Sequence, residues 1–256
     1  MYMEDREIIK ASKPSSTDIS SYTVQQKRGW ALVVEELQPY INRGLDWDLM
    51  TAEKIREAIP LNKDCEYEFN LDLRIVGNEH RNKAYQQLEK FLDIKMYLFE
   101  GEDREQTFNI FSSIQREGEY VKVTMGLKSL RWFLDFGKKQ MFVSFHKPSF
   151  LKLTTGYSMN LFLLLSENYN RGSFTVSIDE IKKRLGCPES YDADKVKTKV
   201  LIPAFKEYKE KGSVITFDAR FYSQDDKPSS SGRKRLNMIE FTVFRKEGDK
   251  WIQSNN

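Results

Sequence analysis

The stretch that decides the fold is FTVSIDEIKKRLG, residues 174–186. It opens with a short alternating run that predicts a β-strand, and Ser177 is then followed three residues later by Glu180, the capping-box pattern that starts a helix. Gly186 ends that helix. A longer helix is predicted from Asp192 to Lys211. Two helices joined by a short turn are typical of a helix-turn-helix.

The segments on either side complete a winged helix. An apolar helix is predicted before the strand, from Tyr157 to Asn168, and a β-hairpin follows the long helix. The two hairpin strands run from Ile215 to Phe221 and from Ile239 to Val243, with a polar loop over residues 223–235 between them. A helix-turn-helix with a hairpin beside it is the winged-helix arrangement.

In the N-terminal half, the predicted helices and strands follow the winged-helix order less closely. Its predicted elements are a helix from Val24 to Asn42, a short helix from Thr51 to Ile59, an alternating strand from Tyr67 to Ile75, a helix from Glu79 to Lys95, a hairpin from Phe108 to Met125, a helix from Leu127 to Phe136 and a short strand from Phe142 to Phe145. Pro148 predicts a linker.

We therefore predict an α+β protein with two tandem winged-helix domains. The polar residues 1–20 are expected to form a flexible tail. The N-terminal domain is expected to cover residues 21–147 and the C-terminal domain residues 148–256.

Composition excludes several kinds of site. The chain has 41 Lys and Arg against 38 Asp and Glu, a net charge of +3, so a nucleic-acid-binding surface must be local. It has no phosphate-binding glycine motif, and its 2 His and 2 Cys are too few for a metal cluster or a disulfide framework. We expect no cofactor, no metal, no catalysis and no membrane span, and the cysteine usage fits a reducing cytoplasm.

The long predicted helix has both faces of a recognition helix, an apolar one to pack on its domain and a cationic one to enter the major groove. The apolar face is Val196, Val200, Ala204 and Tyr208, and the cationic face is Lys195, Lys199 and Lys206. On a straight helical wheel Lys197 falls near the apolar face. Pro203 predicts a kink that re-aims the lysines.

Two further sets of residues are candidates for DNA contact. The hairpin loop carries Arg233, Lys234 and Arg235, which suit phosphate contact or entry into the minor groove. The helix after Gly77 carries side chains of the kinds that bind base edges and phosphates, away from its apolar stripe or at the stripe's edge. These are Arg81, Lys83, Gln86 and Gln87. The alternative for every set is an ordinary solvated surface.

From Phe108 to Phe244 the chain resembles the replication initiator (Rep) proteins of iteron-containing, theta-replicating bacterial plasmids. The most specific motifs are FTVSIDEIKKRLGCPESY, residues 174–191, and VKTKVLIPAFKEY, residues 196–208. The upstream FSSI, residues 111–114, also matches the family's pattern. The sequence departs from the family at Asn160, where Arg is common.

The resemblance implies a DNA-binding protein with no catalytic activity. Its two winged-helix domains would bind direct repeats in a plasmid origin, help open an adjacent A+T-rich segment, and recruit the host replicative helicase, with the host initiator as a further partner. Family members also form homodimers that repress their own gene. The family's basic positions fall on Lys197 and Lys199, with Thr198 between them.

Two other functions remain open from the sequence. A winged-helix transcriptional regulator without a role in initiation would carry the same motifs. An enzyme that nicks DNA through Tyr157 or Tyr222 belongs to a different class, and the absence of a His-x-His metal pair argues against it.

Overall fold

A computed structural model describes residues 8–12, 19–41, 52–99, 105–134, 142–223 and 236–254. The chain forms two compact units. The N-terminal unit runs from Tyr22 to Phe142, and the C-terminal unit runs from Val143 to Asn256 and includes the 3₁₀ turn Ile19–Ser21. A short strand, β1, covers Ile8–Ser12. Within the described ranges, no helix has both the length and the hydrophobicity to cross a membrane.

The N-terminal unit mixes helices and short strands. Its elements are α1 (Val24–Ile41), α2 (Ala52–Ala58), β2 (Tyr67–Asp72), α3 (Leu73–Gly77), α4 (Arg81–Glu89, continued by the 3₁₀ turn Lys90–Asp93), β3 (Lys95–Phe99), β4 (Glu105–Asn109), β5 (Ser113–Glu117), β6 (Tyr120–Met125) and α5 (Leu127–Leu134). β6 lies between β2 and β5, and α1 packs against α3, α4, α5 and β2. Alternate residues of β2 and β6 are buried beneath these helices.

Three predicted boundaries in this unit are wrong. The alternating pattern continues to Ile75, but the strand ends at Asp72, whose carboxylate accepts a 2.8 Å hydrogen bond from the Arg74 N–H and caps α3. The helix predicted to reach Lys95 gives way to a 3₁₀ turn after Glu89. The first strand of the predicted hairpin is interrupted between β4 and β5, where Ile110 and Phe111 are buried.

The C-terminal unit contains the stretch FTVSIDEIKKRLG, residues 174–186. Its elements are β7 (Phe142–His146, starting at the last residue of the other unit), α6 (Lys147–Lys152), α7 (Gly156–Glu167), β8 (Ser173–Ser177), α8 (Ile178–Leu185), α9 (Ala193–Val196), a π-helical turn (Lys197–Leu201), α10 (Ile202–Glu210), β9 (Ile215–Tyr222), β10 (Met238–Glu247) and β11 (Lys250–Gln253). β10 pairs with β9 on one side and with β8 and then β11 on the other.

Both units share one topology. In each, a strand leads into two helices, a hairpin comes later, and the second hairpin strand pairs back with the leading strand. In the N-terminal unit the antiparallel pair β3–β4 is inserted between the helices and the hairpin. Thus Phe69 of β2 pairs with Val123 of β6, and Phe174 of β8 pairs with Phe241 of β10. The predicted fold, an α+β protein with two tandem winged helices, is confirmed.

The predicted start of α8 at the Ser177 cap and its predicted end at Gly186 are also confirmed. The Ser177 hydroxyl accepts a 3.1 Å hydrogen bond from the Glu180 N–H, and α8 ends at Gly186 with φ of 70°. A side chain there would force a strained left-handed backbone and would lie 3.0 Å from the carbonyl oxygen of Ser20.

Two predictions about chain connections change. Pro148 does not mark a linker: it lies in the first turn of α6, which His146 caps and Phe150 anchors in the core. The predicted flexible tail includes β1 and the start of the turn at Ile19, whose side chain is fully buried. The remainder of residues 1–18 lies outside the described residues.

Candidate nucleic-acid interface

The long helix of the C-terminal unit, residues 193–210, is two α-helical segments joined by a π-helical turn. Its buried side chains recur at four-residue spacing, as Val196, Val200, Ala204 and Tyr208. An α-helix would set residues four apart about 40° out of line at each step. The π turn winds more widely and takes up part of this drift, so all four side chains stay buried.

Pro203 explains why the turn falls where it does. Proline has no N–H to donate to the preceding turn, and its ring clashes with the carbonyl four residues back in a regular α-helix. Just before it, the Ile202 N–H donates to the carbonyl of Lys197, five residues away. The predicted kink is therefore a local widening of the helix, a feature often found at functional sites.

Polar contacts fix this helix to α7. The Tyr208 hydroxyl donates to the Ser158 carbonyl at 2.7 Å, and the Glu207 carboxylate accepts from the hydroxyls of Thr154 at 2.7 Å and Thr155 at 3.0 Å. Burial alone would raise the Glu207 pKa, but these hydrogen bonds together outweigh it and hold the pKa below its ordinary value. The buried side of the helix thus has one fixed position.

The first turn of the helix is capped within the chain. Asp192 accepts a 2.9 Å hydrogen bond from the Lys195 N–H, and the Lys195 ammonium donates to the Ser190 carbonyl at 3.2 Å. The Thr198 hydroxyl donates to the Asp194 carbonyl at 2.8 Å. These bonds hold the cationic end in a defined geometry while leaving its side chains exposed.

The opposite side of the helix is exposed along its length, and it holds every candidate that the sequence proposed there. We call this the cationic face; it consists of Lys195, Lys197, Thr198, Lys199, Ile202 and Lys206. Lys197 is exposed although the helical wheel places it near the apolar stripe. The Nζ atom of Lys206 lies 3.7 Å from Oε1 of Glu210. For Lys197 and Lys199, the described residues contain no ion-pair partner.

The sequence did not single out Ile202. It is 54% exposed, the largest value among the large hydrophobic residues whose exposure the structure describes. Its spacing in the sequence could have identified it, since Ile202 lies four residues from both Thr198 and Lys206.

The N-terminal unit presents a different surface on α4. Arg81 forms an ion pair with Glu119 of the hairpin, whereas Lys83 and Gln86 are exposed. The Gln87 side-chain oxygen is buried and lacks a hydrogen-bond partner among the described atoms. The sequence missed Arg116, which lies beside these residues.

Arg116 lies on β5, near the hairpin turn, and its side chain reaches α4. Its guanidinium donates to the Asn82 side-chain oxygen at 2.7 Å and lies 5.9 Å from the centre of the Tyr85 ring. The surface on α4 therefore carries cations from two elements, and Glu119 offsets part of their charge. Of the remaining candidates, Arg233, Lys234 and Arg235 lie outside the described residues.

The described residues give little support to a nicking centre. Burial raises the pKa of the Tyr157 hydroxyl, which disfavours the phenolate that an attack on phosphate needs. No cluster of three or more His, Cys, Asp or Glu side chains in the described ranges is arranged to hold a metal ion.

A comparison with known protein families gives a match in the C-terminal unit. Residues 177–243 match the family described as "Initiator Rep protein, WH2". The matched segment contains α8, the long helix and the hairpin. Comparison with curated proteins gives no match.

Solved structures match the whole chain. One of them is the crystal structure of Pi initiator protein in complex with iteron DNA, with a TM-score of 0.65 and 19% sequence identity. The similarity covers 96% of this chain and 100% of that chain. At this level of identity the likeness establishes a shared fold across both units.

Proposed function

We propose that this chain, which belongs to the initiator Rep proteins through its second winged-helix domain, initiates plasmid replication by binding direct repeats in double-stranded DNA. The observation that carries the proposal is the cationic face, which an apolar stripe and two polar anchors hold outward on a winged helix. A helix of this width fits the major groove.

Within this proposal, the residues of the cationic face have two roles. Lys197 and Lys199 contact phosphates and base edges, and Lys195 and Lys206 contribute phosphate contacts on either side. Each good base contact adds roughly 1–3 kcal/mol of discrimination, whereas phosphate contacts supply affinity without specificity. Because the net charge is only +3, non-specific binding to DNA is limited.

The N-terminal unit is proposed to bind the same repeat through α4. Lys83 and Gln86 are exposed there, and Arg81 would exchange Glu119 for a phosphate. The partly buried Gln87 is the weakest of these candidates. Arg233, Lys234 and Arg235 are proposed to contact the backbone or the minor groove. Two modules that bind one duplex gain affinity through effective concentration.

The further steps follow from the resemblance to plasmid initiators. We infer that the bound protein helps open the origin and brings in the host replicative helicase and host initiator, in the bacterial cytoplasm. The chain would do this without catalysis and without a cofactor, and as a homodimer it would repress its own gene. A transcriptional regulator would share the DNA contacts but would not support replication.

The test is charge reversal on the helix. In a gel-shift assay with the repeats that flank the gene, Lys197→Glu/Lys199→Glu is expected to bind at least about tenfold more weakly than wild type, because two cations become anions at the phosphates. Lys246→Glu/Lys250→Glu is the matched control, since it changes the charge equally at two exposed positions on the hairpin side of the same unit.

Replication separates initiation from regulation. A plasmid that carries only this gene and its flanking DNA is expected to replicate, and the variant at Lys197 and Lys199 is expected to abolish replication. Wild-type affinity in that variant would refute the role of the long helix. Repression of the promoter without any replication would favour the transcriptional regulator.

A further inference from the structure

We propose that Ile202 is a specificity-determining residue that contacts the C5-methyl group of a thymine in the DNA site. This inference rests on the proposed function, because it requires the cationic face to lie in the major groove. It adds an apolar base contact, which the lysines do not supply.

The position of Ile202 on the helix is the first observation. It lies in the middle of the cationic face, four residues after Thr198 and four before Lys206, on the side away from the buried Val200 and Ala204. At 54% exposure it presents about half of its surface to solvent. Single exposed apolar residues are common on protein surfaces, but this one is surrounded by the residues proposed to contact DNA.

Helix stability does not account for the isoleucine. Its backbone is α-helical, with φ of −62° and ψ of −47°, although it directly precedes Pro203, a position where that conformation is disfavoured. A β-branched side chain adds a further helix-propensity cost. Alanine would form this turn more easily, so the choice of isoleucine points to a contact outside the chain.

The chemistry of the major groove supplies that contact. The thymine methyl is a distinctive apolar group on the groove edges of the bases, and apolar side chains recognise it. The Thr198 hydroxyl already donates to the Asp194 carbonyl. Ile202 therefore gives the centre of the face a preference for thymine, while the lysines at the sides bind phosphates or guanine.

The experiment begins with the DNA site. The full chain is used to select a preferred sequence from a pool of random duplexes, and each thymine of that site is then replaced by deoxyuridine, which lacks only the methyl group. For wild type, one replacement is expected to weaken binding about fourfold, the value for burial of one methyl group.

The variant Ile202→Ala is expected to bind the thymine site about fourfold or more weakly and to show no further loss with deoxyuridine. Alanine keeps a strong helix propensity, so the fold is retained. Ile252→Ala is the matched control, because Ile252 is a 40% exposed isoleucine on β11. The control is expected to keep wild-type affinity and the full loss with deoxyuridine.

The outcomes separate the two proposals. If a site is selected but no thymine responds to deoxyuridine, or if Ile202→Ala responds as wild type does, the thymine contact is wrong and the DNA-binding function stands. If the pool yields no preferred sequence, sequence-specific binding fails and the thymine contact fails with it.

Discussion

Lys27 shows how strongly a single residue departs from what its type suggests. It lies in α1 with 1% of its surface exposed, and its ammonium donates to the Tyr22 carbonyl. Burial lowers its pKa to about 8. The folded N-terminal unit therefore holds a proton on this residue less readily than the unfolded chain does.

This difference predicts a pH dependence of stability. In the unfolded chain the lysine pKa is about 10.4, so between about pH 8 and pH 10 the unfolded state binds more protons and stability rises with pH. We expect a gain of about 1–2 kcal/mol in the free energy of unfolding from pH 7.5 to pH 9.5. Urea unfolding of Lys27→Met should lack this gain, whereas exposed Lys246→Met should keep it. If the free energy of unfolding of Lys27→Met rose with pH as much as that of wild type, Lys27 would not be the source of this pH dependence.

At the scale of elements, the position of the long helix depends on its contact with the start of α7. Glu207 contributes by accepting hydrogen bonds from the hydroxyl and the backbone N–H of Thr154 and from the Thr155 hydroxyl. A hydrogen bond to a charged group typically contributes roughly 1.5–3 kcal/mol. The carboxylate therefore positions the cationic face from behind.

We expect Glu207→Ala to lower the free energy of unfolding by roughly 1.5–3 kcal/mol, because the part-buried hydrogen bonds to its carboxylate are lost. Glu207→Gln should lower the free energy of unfolding by less, since its side-chain amide oxygen can still accept a hydrogen bond. Because the pKa of Glu207 is below its ordinary value, its contribution is lost as pH falls through the native pKa. Calorimetry at pH 7 and pH 4 would measure both effects, and equal losses in the two variants would contradict this role.

The π-helical turn gives a second prediction at this scale. Pro203→Ala restores a backbone donor, so the segment can return to regular α-helical winding. The gain in helix propensity is offset by poorer alignment of the buried stripe, and we expect little change in the melting temperature. The same change would rotate Lys195 and Lys197 relative to Lys206, and we expect the affinity for the selected site to drop severalfold. Melting curves and binding titrations on one preparation would test this. Unchanged affinity would show that the π turn is not needed for DNA binding.

For the whole molecule, the near-balance of charges makes binding depend on a few cations. With a net charge of +3, general attraction to DNA is weak, and under the proposed function the affinity at moderate salt comes from local contacts. Each phosphate contact releases counterions, so the salt dependence of binding reports how many contacts are made.

We expect neutral variants to change this salt dependence. The slope of log Kd against log salt should decrease by about 1 for Lys199→Met and by about 2 for Lys197→Met/Lys199→Met. Lys246→Met, which changes an exposed lysine outside the cationic face, should leave the slope unchanged. Fluorescence anisotropy between about 50 and 200 mM salt would measure the slopes. A slope that is the same in all variants would place the phosphate contacts elsewhere.

Local signals account for what the sequence determined by itself. The capping box at Ser177, the left-handed Gly186 and the alternating strands depend on neighbours within a few residues, so periodicity and turn chemistry were sufficient to predict them. Their order predicted two winged helices, and the apolar stripe of the long helix predicted the exposure of Lys195, Lys199 and Lys206, though not that of Lys197.

Only the tertiary structure decided features that depend on partners distant in sequence. Asn160 is buried, and its side-chain amide donates to the carbonyls of Ser20 at 3.0 Å and Leu185 at 2.9 Å. Arg81 is paired with Glu119 of the hairpin, and β2 and β8 each find their partner beyond a pair of helices. No local pattern encodes these pairings, because they form only when separate segments fold against one another.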